Sequence, residues 1–235
     1  MGGPGYPDAV LSSGVLISFE GGDGVGKSTQ LGLLADRLVG LGHEVVRTRE
    51  PGGTPLGVEL RDAVLHGDHV SARTEALLYA TDRAHHVDTV IRPALERGAV
   101  VLTDRYLDSS VAYQGNGRDL GADEVERLSL WATDGLLPDL TVLLDLDPRV
   151  GLSRLTGAPD RLESAGLDFH VRTRQAFLDR AAADPGRWLV LDAARDADEV
   201  HADVAARVDA LLARRAGAEP AVGAATAPAD RPAAP

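Results

Sequence analysis

Five short β-rich apolar runs divide the chain: "VLISF" at 15–19, "EVVRT" at 44–48, "VVLTD" at 100–104, "LTVLLDL" at 140–146 and "WLVLD" at 188–192. Helical patterns separate them. In the clearest, over 72–97, Ala76, Leu77, Ala80, Ala84, Val87, Val90, Ile91, Ala94 and Leu95 follow a 3.6-residue period. Further helices are predicted over 27–39, 123–134, 168–183 and 197–214. Strands alternating with helices predict an α/β fold, a five-stranded parallel sheet with helices on both faces. Such sheets bind ligands at the carboxyl ends of their strands, which is where the sequence's chemistry should gather.

The pattern stops at both ends. Residues 1–13, "MGGPGYPDAVLSS", read as a flexible arm, and 216–235, "AGAEPAVGAATAPADRPAAP", as an Ala/Pro-rich disordered tail. One domain over 14–215 remains, without internal repeat.

Composition narrows the function. A formal charge of −12 argues against nucleic acid as a resident partner, whereas a small basic pocket for a phosphorylated ligand stays open. No cysteine occurs, which rules out disulfides and thiolate metal sites. No apolar run approaches the roughly 20 residues of a membrane span. No basic residue precedes Lys27, as a secretory signal would require. The sequence thus predicts a cytoplasmic protein with no membrane partner.

The strand at 15–19 runs into "EGGDGVGKST", where Gly21-(x)4-Gly26-Lys27-Ser28 fits the phosphate-loop pattern between a strand and a helix. Glycines let backbone N–H groups turn inward around phosphate, and the helix N-terminus adds positive potential. Lys27 is the only lysine in the chain; every other Lys/Arg position is arginine. A cradle of backbone has room for a compact ammonium on a slim stem and none for a planar guanidinium. The expected triphosphate site is Gly21, Gly22, Asp23, Gly24, Val25, Gly26, Lys27, Ser28 and Thr29, with Ser28 placed for Mg²⁺.

Three further clusters are "TREPGGT" (48–54), "LLYATDRAHH" (77–86) and "DRYLDSSVAYQG" (104–115). With the phosphate loop, "PDLTVLLDLDP" (138–148) and "DRLE" (160–163), they resemble thymidylate kinase of the bacterial type over about 15–212. The resemblance implies a P-loop nucleoside monophosphate kinase-like fold, a homodimer, and transfer of the γ-phosphoryl of ATP to dTMP with Mg²⁺. It assigns Arg105 and Arg49 to the dTMP phosphate, and Asp104 to magnesium or phosphate ordering. It places Tyr79 and Arg83 on thymine, and closes Ser109, Ser110 and Tyr113 around base and sugar, Tyr113 excluding a 2′-hydroxyl. Asp23 matches a carboxylate near the sugar 3′-hydroxyl.

Spacing alone leaves alternatives open. Asp104–Arg105 could be a structural ion pair, and Tyr79–Arg83, four apart on one helix face, could be packing. Phe169, Arg172 and Arg174 read as packing or lid support, with packing favoured, and the adjacent His85 and His86 as surface residues. One class of these kinases carries arginine at position 24, where this chain has glycine. The missing guanidinium is therefore expected from a lid at about 154–164, with Arg161 on the phosphoryl group and Arg154 against the adenine. The rival readings are another nucleotide or nucleoside kinase, the nucleoside case disfavoured by two arginines aimed at an acceptor phosphate, and a switch ATPase, which has no use for "TREPGGT" or "DRY".

Overall fold

The computed structural model describes residues 14–156 and 159–218. The arm expected at 1–13 and residues 219–235 of the expected tail lie outside the described residues.

Five parallel strands form one sheet in the order β2-β3-β1-β4-β5. They are β1 (Val15–Glu20), β2 (Val45–Arg49), β3 (Val100–Asp104), β4 (Leu140–Asp145) and β5 (Trp188–Asp192). Each matches a predicted run to within a residue. β1 is buried throughout because strands flank it and helices cover both its faces, while the edge strands β2 and β5 are partly exposed.

Alternation along β1 sends Val15, Ile17 and Phe19 to one face and Leu16 to the other. The first face packs on α1 (Lys27–Gly40) through Leu31, Leu34 and Leu38, and on α9 (Ala197–Ala218) through Val200, Val204 and Val208. α9 therefore runs three residues past the boundary expected at 215. The second face packs on Val87, Ile91 and Leu95, with α8 (Leu167–Ala183) covering Leu143 through Phe177.

The helix expected over 72–97 is interrupted. α3 (Ala72–His86) passes through a π-helical turn, Val87–Ile91, into α4 (Arg92–Glu96). Pro93 has no N–H to give Thr89, and the Arg92 N–H already reaches back five residues to Val87. Three helices have no counterpart in the expected set: α2 (Pro55–Leu65), α5 (Leu107–Ser110) and α7 (Pro148–Ser153). A π-helical stretch, Val111–Gly117, continues α5, and α6 (Ala122–Ala132) follows as predicted.

Strand register sets the site. Asp104 is level with Phe19 of β1 and Arg49 of β2, so the ends of three neighbouring strands meet at one edge. Behind that edge the fully buried Asp108 of α5 is held by Arg180 of α8 and by Arg187, at 2.6 Å each. A buried carboxylate with two guanidiniums fastens α8 and β5 to the segment that carries the site.

Candidate active site

The phosphate loop joins β1 to α1. α1 has Gly26 at its N-cap without a side-chain cap, and no acidic residue in its first turn. Its leading N–H groups therefore keep their positive potential for a ligand. Gly24 has φ +72°, and a Cβ there would strike the carbonyl oxygen of Gly151 in α7. An arginine at 24 would have no room against this helix.

Lys27 is 7% exposed, and its Nζ donates to the carbonyls of Gly22 (2.6 Å) and Gly21 (3.3 Å). Burial, with Arg105 nearby, pushes its ammonium down to about 8 against the opposing pull of Asp104, Asp23 and Glu20. The fold thus holds a cation where desolvation works against it, an arrangement that an anionic ligand would relieve.

Ser28, Arg49 and Asp104 line one cleft beside the loop. Asp104 Oδ1 is buried without a hydrogen-bond partner among the described residues. A hydroxyl and an unsatisfied carboxylate oxygen fit Mg²⁺, which takes one or two protein oxygens and completes its shell with phosphate and water. Among the described residues no group of three or more His, Cys, Asp or Glu could hold a metal by itself.

Arg105 connects this loop to a second cavity. Its backbone lies at φ +70°, turning the side chain back over β1. Nη1 donates to Gly21 O (2.9 Å) and Ser109 Oγ (3.2 Å), Nη2 to Asp23 Oδ1 (2.5 Å), and the guanidinium lies 4.9 Å from the Tyr113 ring centre. Burial opposes ionisation of Asp23, yet Arg105 and Lys27 outweigh it and hold the carboxyl below its usual range. Beneath Arg105 lies Glu20, which sequence reasoning did not single out. It accepts from Tyr106 N (2.8 Å) and Ser109 Oγ (2.5 Å), and burial, with Asp108 adding, pushes it up to about 8.

The cavity brings together Asp23, Tyr79, Arg83, Arg105, Ser109, Ser110 and Tyr113, all expected on the acceptor side. Arg49 is in the adjoining cleft, and the guanidinium that α2 contributes to the cavity is Arg61, held by Pro51 O at 3.1 Å. Gln114, Asp160 and Leu162 complete walls that sequence reasoning missed. The ring of Tyr113 packs against Phe169 and Phe177, so Phe169 does serve as packing.

Arg83 is 1% exposed and anchored on four sides. Nε donates to Glu50 (2.8 Å), Nη1 to Ser129 (3.2 Å), and Nη2 to Tyr106 O (3.3 Å) and Ser110 (3.0 Å). Five N–H groups against four bonds leave one Nη1 hydrogen. His86 departs from expectation. It is fully buried, three residues on from Arg83 on the same helix face, with Nδ1 on Glu50 (2.9 Å) and Nε2 on Thr48 (2.6 Å). Adjacency to His85 said nothing about that face.

Asp82, also buried, takes the Gly52 N–H (3.3 Å) on Oδ1, and its Oδ2 has no partner among the described residues. Burial, then Glu50, pushes its carboxyl up to about 6 from 3.8. Protonated Asp82 therefore favours the fold; this contribution is full below about pH 3.8 and lost as pH rises through about 6. Asp82→Asn should melt with the wild type near pH 4 and above it at pH 8, by about 1–2 kcal/mol. Thermal melts across that range would show it; a difference constant with pH would refute it.

The lid separates its two arginines. Arg154, just past α7, donates from Nη1 to Gly24 O at 3.3 Å, on the rim of the phosphate loop. Arg161 points elsewhere: its backbone N–H reaches Leu65 O (3.3 Å), and Nη2 reaches Gly67 O (2.7 Å) and Asp68 O. It is fastened to the end of α2, between two residues, Asp160 and Leu162, that line the second cavity. Gly157 and Ala158 lie outside the described residues.

The sequence profile of the family described as "Thymidylate kinase" matches residues 19–204. Similar proteins include the thymidylate kinase of Clavibacter michiganensis subsp. michiganensis, 63% identical over 88% of this chain and 100% of that protein. The thymidylate kinase of Leifsonia xyli subsp. xyli is 62% identical over 83% of this chain and 95% of its own. That of Deinococcus radiodurans is 53% identical over 84% of this chain and 98% of its own. The chain belongs to the thymidylate kinase family.

Proposed function

We propose that the chain transfers the γ-phosphoryl group of ATP to dTMP, giving dTDP. A phosphate oxygen of dTMP attacks the γ-phosphorus, the new P–O bond forms, the bond to the β–γ bridging oxygen breaks, and ADP leaves. Little covalent help is needed from protein in such a transfer; placement and charge do the work. Lys27 and the α1 N-terminus hold the triphosphate, and Arg105 with Arg61 receives the acceptor phosphate. Arg49 stands at the edge between the two. Ser28 and Asp104 would hold Mg²⁺, which neutralises phosphate charge when bound. Tyr79, Arg83 and Tyr113 hold base and sugar, with Asp23 near the sugar.

One observation carries this reading. Arg105 touches both Gly21 of the phosphate loop and the cavity beside Ser109, so one guanidinium spans donor and acceptor sites. A switch ATPase would have no use for the second site. ADP release with dTMP, dUMP, dCMP, AMP or thymidine as acceptor tests it: dTMP should be fastest and thymidine inert. Turnover independent of any acceptor would overturn it.

No helix of the described residues is long and apolar enough to cross a membrane. We infer a homodimer, because Leu77 and Trp131 stand 50% and 76% exposed on the neighbouring helices α3 and α6. A sedimentation mass of one chain would refute that.

A further inference from the structure

Gln114 lines the acceptor cavity and Glu75 lies outside that lining, and the two are 1% and 2% exposed. Gln114 comes from the π-helical stretch and Glu75 from the first turn of α3. The amide Nε2 of Gln114 donates to Glu75 Oε1 at 2.9 Å. Arg118 closes on the same carboxylate with two bonds, Nε to Oε1 (3.3 Å) and Nη2 to Oε2 (3.2 Å).

A carboxylate facing a guanidinium can only accept, so it must meet the nitrogen of the amide and never its oxygen. The amide therefore has one orientation, and its carbonyl oxygen is the polar atom left for the cavity. Arg83, which lines the same cavity, keeps one Nη1 hydrogen without a partner among the described residues. The cavity thus offers an acceptor and a donor to the edge of a flat ring.

We infer that Glu75 is a positioning residue that sets base selectivity, by locking the Gln114 amide so that its oxygen meets a ring N–H. The inference rests on reading this cavity as the nucleotide acceptor site. A pyrimidine with a 4-carbonyl beside an N3–H complements both groups. Cytosine presents the reverse pattern, an amino donor beside an unprotonated ring nitrogen, and sets donor against donor and acceptor against acceptor. A buried site left with mismatched polar groups rejects the wrong ligand strongly. Uracil has the same edge as thymine, so Glu75 discriminates against cytosine without sensing the 5-methyl group.

The test compares kcat/KM for dTMP, dUMP and dCMP in the wild type, Glu75→Gln and Glu75→Asp. Glutamine at 75 can donate to the Gln114 oxygen and lets the amide turn over. Aspartate keeps a charge for Arg118 but withdraws from the amide by one methylene, so it covers the case where the first variant does not fold. The dTMP:dCMP ratio should fall at least roughly tenfold, the scale of one lost buried hydrogen bond, while dTMP:dUMP stays within about threefold. A purely structural role would lower all three substrates together. An unchanged dTMP:dCMP ratio in whichever variant folds overturns the inference. A wild type that phosphorylates neither dTMP nor dUMP overturns instead the reading of the site beneath it.

Discussion

Lys27→Ala should lower kcat by at least roughly 10³ and leave the fold intact, and Lys27→Arg should recover almost none of the loss. The ammonium lies inside the backbone cradle, against the carbonyls of Gly21 and Gly22. In the proposed transfer its charge acts on the migrating group. Arginine fails for two reasons. A planar fork is too wide for a site already 7% exposed with a slim stem in it. The carbonyl of Gly21 is also taken, since Arg105 Nη1 lies 2.9 Å away, so a second guanidinium would displace the one that serves the acceptor. Burial depresses the ammonium's pKa, which means its charge costs the fold stability. The alanine variant should therefore melt at or above the wild-type temperature. Steady-state ADP release with dTMP, alongside thermal melts, checks both halves. An arginine variant with more than about a tenth of wild-type kcat, little over 1 kcal/mol in barrier, would refute the argument from space.

The strands and the phosphate loop were legible because local sequence determines them: apolar runs of five to seven residues, and glycines at fixed offsets around one lysine. Two of the missed helices carried readable start signals. Thr54 caps α2 with Pro55 behind it, and Asp147 caps α7 with Pro148 behind it. What stayed hidden is the set of buried carboxylates. Glu20, Glu50 and Glu75 look in sequence like any surface glutamate, and their burial depends on partners 33 to 89 residues away. Gln114 lies inside "DRYLDSSVAYQG" without a role of its own there, and Arg61 belongs to no motif; the fold turns both toward the cavity. The helical period did contain one unread signal, since His86 follows Arg83 by three residues and so shares its buried face.

Arg154→Ala should lower kcat by about 10³ or more with little change in the KM for dTMP, the loss typical of an arginine acting on a transferring phosphoryl group. Arg161→Ala should instead raise the KM for dTMP and leave kcat nearly intact. This reverses the order that "DRLE" suggested. Arg161 is committed to Gly67 and Asp68, past the C-terminal end of α2, where carbonyls favour a cation, and it pins the lid there. Freeing the lid moves Asp160 and Leu162, which line the acceptor cavity, so the penalty falls on acceptor binding. Arg154 is already at Gly24 O on the phosphate loop. Gly24 and Gly151 meet there backbone to backbone, and no side chain of the loop can occupy that rim. Arg154, directly after α7, brings a guanidinium to it. Kinetics with dTMP and ATP varied separately distinguish the two roles. If Arg161→Ala is the variant that loses kcat and Arg154→Ala is near normal, Arg161 must leave α2 during turnover and swing to the phosphates.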